Sequence, residues 1–380
     1  MAELLTNTTD LTKVAAAIRE KGGTSDSLVY PDGFVVAIQA IQTGTELQII
    51  VTVESGATVT ATKDSLSVSG TSVNGTCTLT IPEEGDWTVS ATLGGETSTS
   101  TTVNVVSSYD ATLTFISTIL NDNSWEAIRM ASDLGQGANL WSIGDRKEIT
   151  LDGTVGHLTL SNYTTYAFII GFNHNQELEG TDRIHFQLAK TALSGGTDVC
   201  FCDNQYGPDS GWSSPGAGYF VMNASQTNSG GWASSQMRIN ICGTSLSIYS
   251  GTIIAVIPAA LRAVLKSVTK YTDNTGGGSS VAGNITATTD YFFLLSEFEV
   301  FGSISYANPN EKSKQAQYAY YSAGNSKIKY KHSGTSIVAY WWLRSPSAIT
   351  NYVFTVVKPD GTVTHANASN SLGFAPGFCV

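Results

Sequence analysis

Charge is scarce in this sequence. Asp, Glu, Lys and Arg make up 13% of its 380 residues, and the 20 Lys and Arg are outnumbered by 31 Asp and Glu. The resulting net charge of -11 opposes a phosphate backbone. The one local basic excess, Lys312, Lys314, Lys327, Lys329 and Lys331, is too small for a nucleic-acid stripe, so nucleic acid is not an expected partner. Cysteine is equally sparse. Cys77, Cys200, Cys202, Cys242 and Cys379 are odd in number and irregularly spaced, which excludes the disulfide framework of a small secreted domain and leaves buried free thiols as the expectation. Long apolar runs are missing as well. IIAVIPAAL at 253–261 is too short to cross a bilayer and ends at Arg262, and MAELLTNTTDLTKV has neither the apolar segment nor the cleavage site of a secretion signal. No membrane association is expected, and synthesis is expected in a cytoplasm.

Catalytic signatures are also lacking. No G-x-S-x-G elbow, paired-histidine motif or phosphate loop occurs, and His157, His174, His185, His332 and His365 are scattered. His174, within GFNHN, reads as a hydrogen-bonded loop residue. Cys200 and Cys202, taken with Cys242 and Asp203 or His185, lack the second paired knuckle of a zinc site. DNQYGPDSG and DNTGGGSS present Asp203, Asp209 and Asp273 without the regular oxygen spacing of a calcium loop. No metal and no cofactor is therefore expected. Glu297 and Glu299 alternate with Phe298 in LLSEFEVFG, would share one face of a strand, and are a carboxylate pair available for glycan hydrolysis.

What the sequence does contain is a 41% hydrophobic fraction, sufficient for a real core, with abundant Ser, Thr, Asn and Gly. Its organisation changes twice. Residues 1–44 read as two short helices: Leu11, Val14, Ala15 and Ile18 recur at helical spacing between Asp10 and Gly22, and Phe34, Ile38 and Ile41 repeat the pattern after the YPDG turn. Neither stripe has a core of its own, which predicts an attachment or self-assembly segment. Across 45–107 the period becomes two, in short Val/Thr/Ile runs separated by glycines, as in a small all-β sandwich. Residues 108–380 mix strands with two helices. SWEAIRMASDLG is expected to face Trp125, Ile128 and Leu134 inward. PAALRAVLKSVTKY is expected to bury Leu261, Val264, Leu265 and Val268 and to leave Arg262, Lys266 and Lys270 wet. The fold class is thus multidomain: helices, a β-sandwich, then an α+β domain.

In order along the chain, LWSIGD…ITLDGTVG, FIIGFNHN, SGGWASSQMR, FFLLSEFEVFG, WWLRSP and GFAPGFCV together resemble tail-associated proteins of phages and prophages of gut Firmicutes. The N-terminal ELLTNTTDLTKVAAAIREKGG resembles the opening of tail and baseplate proteins of the same hosts, and CTLTIPEEGDWTVSATLGG the end of an immunoglobulin-like spacer. The resemblance implies a C-terminal C-type-lectin-like domain and a tail-tip adhesin of the virion. Its partners would be a host cell-surface receptor, protein or glycan, and, through residues 1–44, other tail proteins, with a homotrimer as the assembly such particles favour. It also implies that a diversity-generating retroelement rewrites the region of about 347–374. The ligand-contacting positions would then be Ala348, Ile349, Thr350, Asn351, Tyr352, Thr364, His365, Asn367, Ser369, Asn370 and Leu372. A tail-associated enzyme acting on cell-wall glycan is the alternative reading.

The residues of this segment divide on physical grounds as well. Trp341, Trp342, Arg344, Pro346, Gly373 and Pro376 form the expected structural frame: two large rings, a planar fork of donors, and backbone-fixing residues. Tyr352, Phe354 and Val356 alternate with Val353, Thr355 and Val357 as a half-buried strand, which KPDGT then turns with a positive φ at Gly361. THANASNS shows no period and reads as an exposed loop of adaptable polar groups. In SKIKYKH, Lys327, Lys329 and Lys331 are expected to form the charged face of a protected edge strand.

Overall fold

The computed structural model describes residues 8–22, 27–29, 32–39, 47–106, 109–113, 115–202 and 220–380. Strand outweighs helix, 39% to 21%, so the architecture is mostly β. The chain divides into two compact units, Met1–Phe115 and Ile116–Val380. Asp203, Asp209, Ile41 and the QYGPDSGW stretch lie outside the described residues.

The first unit opens with helices Thr8–Gly22 and Asp32–Gln39. They pack on each other through Ala15, Ile18, Phe34 and Ala37, while Val14 and Ile38 of the two stripes are exposed. Eight strands follow: β1 (Gln48–Thr52), β2 (Thr58–Lys63), β3 (Leu66–Thr71), β4 (Thr76–Thr80), β5 (Gly85–Leu93), β6 (Glu96–Thr97), β7 (Thr101–Val105) and β8 (Tyr109–Thr112). One sheet has the order β4-β1-β8; the other runs β3-β2-β5-β6, with β7 also on β5. Alternating burial is what makes this a sandwich. Ile49, Val51, Val59, Ala61, Leu79, Trp87, Val89, Val103 and Val105 form one apolar layer, while their sequence neighbours carry Thr and Ser outward. The β-run extends past residue 107, since β8 pairs in parallel with β1 and Leu113 N donates to Thr52 O at 3.0 Å.

The second unit contains β9 (Arg146–Val155), β10 (Leu158–Phe172), β11 (Ile184–Lys190), β12 (Val199–Cys200), β13 (Val268–Asp273), β14 (Ile285–Asp290), β15 (Phe292–Phe293), β16 (Lys329–Lys331), β17 (Gly334–Ala339), β18 (Trp341–Pro346), β19 (Val353–Val357), β20 (Val363–Asn367) and β21 (Gly377–Cys379). Its main sheet has the order β15-β21-β11-β10-β9, so the C-terminal strand is inserted between β15 and β11. Helix Trp125–Asp133 starts where Ser124 Oγ accepts from Ala127 N, and it buries Trp125 and Ile128. Leu134, expected inside, is instead the exposed C-cap.

Three further expectations are corrected. The helix after Pro258 stops at Val264, because Lys266 N donates to Cys379 O and residues 268–273 join β14; Lys270 therefore points into the core. Glu297 and Glu299 do not lie on a strand. Residues 297–301 form a helix under a capping box in which Ser296 Oγ accepts from Glu299 N and Glu299 Oε2 accepts from Ser296 N. Finally, β16 is the central strand of β12-β16-β17, and its buried positions are Lys329 and Lys331, with Tyr330 between them only half-buried.

Candidate functional site

The frame residues sit in the core. Trp341 Nε1 donates to Lys327 O (2.9 Å) and Trp342 Nε1 to Phe220 O (2.6 Å), so both indoles are buried with their polar edge satisfied. Gly373 bridges Trp342 N and Tyr340 O by its backbone, and a Cβ there would come within 2.3 Å of Cys200 Sγ, which explains the glycine. Pro346 pairs with Phe354 across β18–β19, and Pro376 O accepts from Leu188 N.

Arg344 reaches a polar cluster that no local sequence signal announces. Its guanidinium grips both carboxylate oxygens of Glu299 and donates to Thr272 Oγ1 (2.7 Å) and Leu294 O (2.8 Å). Lys270 Nζ uses all three donors, on Glu179 (2.6 Å), Glu299 (3.0 Å) and Tyr318 Oη (2.8 Å). Glu311 accepts from Asp273 N, Ser345 Oγ and Gln315 Nε2. Burial alone would raise Glu299, but Arg344 and Lys270 hold it well below the usual carboxylate range. Burial wins at Glu179 and Glu311, pushing each up to about 7. Burial, with Lys270 nearby, pushes His174 down to about 3, and its ring stacks on Tyr318 at 3.7 Å. His174, Glu179 and Glu299 offer ligand atoms within 4.8 Å of one another, yet both carboxylates are engaged by the ammonium of Lys270. All of these groups are buried. The cluster is a keystone joining β13, β18 and the 297–301 helix.

Above this core lies the segment carrying the expected contact positions. Ile349 and Tyr352 are 61% and 42% exposed, Asn351 is also exposed, and Ala348, Thr350, Thr364, His365, Asn367 and Ser369 are half-buried. Leu372 and Asn370 are corrected: they are only 1% and 6% exposed and belong to the interior. The reason is a period the polar composition concealed. Residues 363–367 form strand β20 against β19, the inward alternation of Ala366, Ala368 and Asn370 continues beyond it, and from Asn370 on every residue is buried, Leu372 among them. For the same reason β19 is buried at all five positions: it is the middle strand of β18-β19-β20. The KPDGT turn is as expected, with Gly361 at φ 81° and Lys358 N donating to Thr362 O.

Two buried side chains pin the 347–353 loop from below. Asn228 Nδ2 lies 2.9–3.2 Å from the carbonyl oxygens of Ser347, Thr350 and Val353, Asn228 N donates to Asn351 O, and Asn228 Oδ1 accepts from Gly277 N. The glycines of DNTGGGSS fit against this staple: a Cβ on Gly276 would meet Asn228 O at 1.9 Å, and one on Gly278 would press on Thr350 at 3.0 Å. Asp273, weighed as a calcium ligand, accepts from Thr275 N, Gly276 N and Asn308 Nδ2, and so shapes the same loop. Glu297 is the second pin. It accepts from the backbone N–H groups of Ser305, Tyr306 and Ala307, which sets Tyr306 O to accept from Ala348 N and the Tyr306 ring edge-on to His365 at 4.8 Å. Sequence reading missed Asn228 and Tyr306. The S-x-x-E capping signature was the visible signal for Glu297's helix; Asn228 had none.

Elsewhere, Cys200 and Cys202 place their sulfurs 3.5 Å apart, and all five cysteines are buried thiols outside any disulfide. His185 packs between Tyr318 Oη and Cys379 Sγ, so it is not brought to the paired thiols. A family model described as a domain of unknown function, DUF6273, matches residues 219–380, a span that holds Asn228, the glycine loop, the 297–301 helix and the whole 341–380 segment. No curated protein and no solved structure matches the chain.

Proposed function

We propose that the chain is a phage or prophage tail adhesin. In this reading residues 1–44 attach it to the tail, the strands from β1 through β8 are an immunoglobulin-like spacer, and the second unit, from residue 116 on, is a C-type-lectin-like receptor-binding domain whose 347–374 segment is diversified. One observation carries the proposal: the exposed Ile349, Asn351 and Tyr352 stand on a loop pinned by the buried side chains of Asn228 and Glu297, and the neighbouring His365 and Asn367 stand on β20, paired to the buried β19. Side chains on such a surface can be exchanged without disturbing what supports them. Thr350 Oγ1 and His365 Nδ1 add to the support. These buried polar atoms without a partner belong to half-buried residues of the surface, where a bound receptor or its waters can relieve them, whereas Asn370, whose Nδ2 also has none, is interior.

Adsorption to host cell walls tests the reading. The triple variant Tyr352→Ala, His365→Ala, Asn367→Ala is expected to lose attachment while melting within a few degrees of wild type, since surface substitutions cost about 0.5 kcal/mol or less each. Leu372→Ala, inside the frame, is expected to cost roughly 2–5 kcal/mol. Unchanged adsorption by the triple variant, or release of reducing ends from the walls by the wild-type protein, would overturn the adhesin assignment, the latter in favour of a glycan-degrading enzyme.

A further inference from the structure

We infer that the second unit carries a separate ligand site: an open cleft that takes an uncharged pyranose unit of a polysaccharide. The cleft encloses about 350 Å³, at the lower end of the usual range for small-ligand sites. One wall is the π-helix Met237–Cys242 with Gln236 ahead of it. The longer turn of a π-helix, bonded i to i+5, brings Gln236, Asn240 and Ile241 to the same side, and such turns recur at functional sites. The opposite wall is the β9–β10 turn at Gly156 and His157, tied to the 249–251 turn by Gly156 N donating to Gly251 O at 2.7 Å. Thr252 Oγ1 fixes that turn by donating to Tyr249 O. Val221 and Ala224 complete the lining, and Gln236 Oε1 accepts from Ala224 N at 3.0 Å.

The lining chemistry selects the ligand. Among the described residues it has no Asp, Glu, Lys or Arg, so nothing there offsets the desolvation of a phosphate, carboxylate or ammonium group. It offers two amides and the Ser250 hydroxyl, which between them donate and accept as a ring of sugar hydroxyls does, with Val221 and Ile241 against the C–H face. This assignment stands whether or not the 347–374 surface binds a receptor.

Saturation-transfer NMR on the full chain tests it with glucose, galactose and N-acetylglucosamine, each up to roughly 10 mM, and with glucuronate and glucose 6-phosphate as charged counterparts. At least one neutral sugar is expected to receive saturation and the charged counterparts to receive less. Asn240→Ala should weaken the neutral ligand about tenfold, Ala224→Trp should abolish binding by filling the cleft, and Tyr352→Ala should leave it unchanged. Because Asn240 is exposed, its variant reports even if the Trp variant fails to fold. No transfer to any neutral sugar, transfer surviving in folded Ala224→Trp, or equal binding of the charged sugars would each overturn the assignment.

Discussion

At the scale of single residues, the side chains that matter most to the candidate surface are not on it. Asn228 touches no solvent, yet its amide organises three carbonyls of the 347–353 loop and one N–H of the glycine loop. Asn228→Ala removes a partner from each of these groups; Val353 O keeps its bond from Ser347 N, and each buried group left with no partner costs about 1–3 kcal/mol. The expected outcome is a clear drop in the denaturant midpoint together with loss of adsorption, although no exposed side chain changes. Lys329 makes the opposite case. Its ammonium is buried without a hydrogen-bond partner, 5.3 Å from the centroids of both the Phe168 and Trp341 rings. Burial, only partly offset by Asp198, pushes it down to about 8 from the ordinary 10.5. Between those two values the unfolded chain binds a proton that the folded chain has released, so this group makes stability rise with pH. Lys329→Met is therefore expected to stabilise the protein by roughly 1–3 kcal/mol at neutral pH, with the advantage fading as pH approaches 10.5. A variant less stable than wild type at pH 7 in urea titrations would show that the ring contacts outweigh the desolvation.

At the scale of elements, alternation was legible wherever one face of a strand meets solvent, and misleading where both faces are covered. The 47–105 strands show period two because their outer faces carry Thr and Ser. In β16 the polar side chains are the buried ones, and in β19 every position is buried, so polarity no longer reports direction. β8 depends on the same logic. It reads as a short stretch after the sandwich, but it supplies the parallel neighbour of β1 and the buried Ala111 and Leu113. A chain ending at residue 107 is expected to melt well below one ending at 115, because it exposes that edge of β1 and loses two apolar side chains, about 2–4 kcal/mol in all. Thermal melts monitored by circular dichroism compare the two directly, and equal melting temperatures would show that β8 is dispensable.

At the scale of the whole molecule, sequence alone determined the early helices, the period-two run and the KPDGT turn, because each depends on neighbours within a few residues, and it marked the tryptophans as core residues by their size. Tertiary structure decided the rest. Lys270 meets Glu179 across 91 residues and Glu299 across 29, and Arg344 meets Glu299 across 45. A charged side chain in isolation belongs in water, and only partners that far away make its burial tolerable, so a one-dimensional pattern assigns it outward. The same holds at the candidate surface. The Trp and Arg frame was visible in the sequence, but its footing was not, since Asn228, the 275–278 glycines and Glu297 come from three distant segments and converge under residues 347–353 only when the chain is folded.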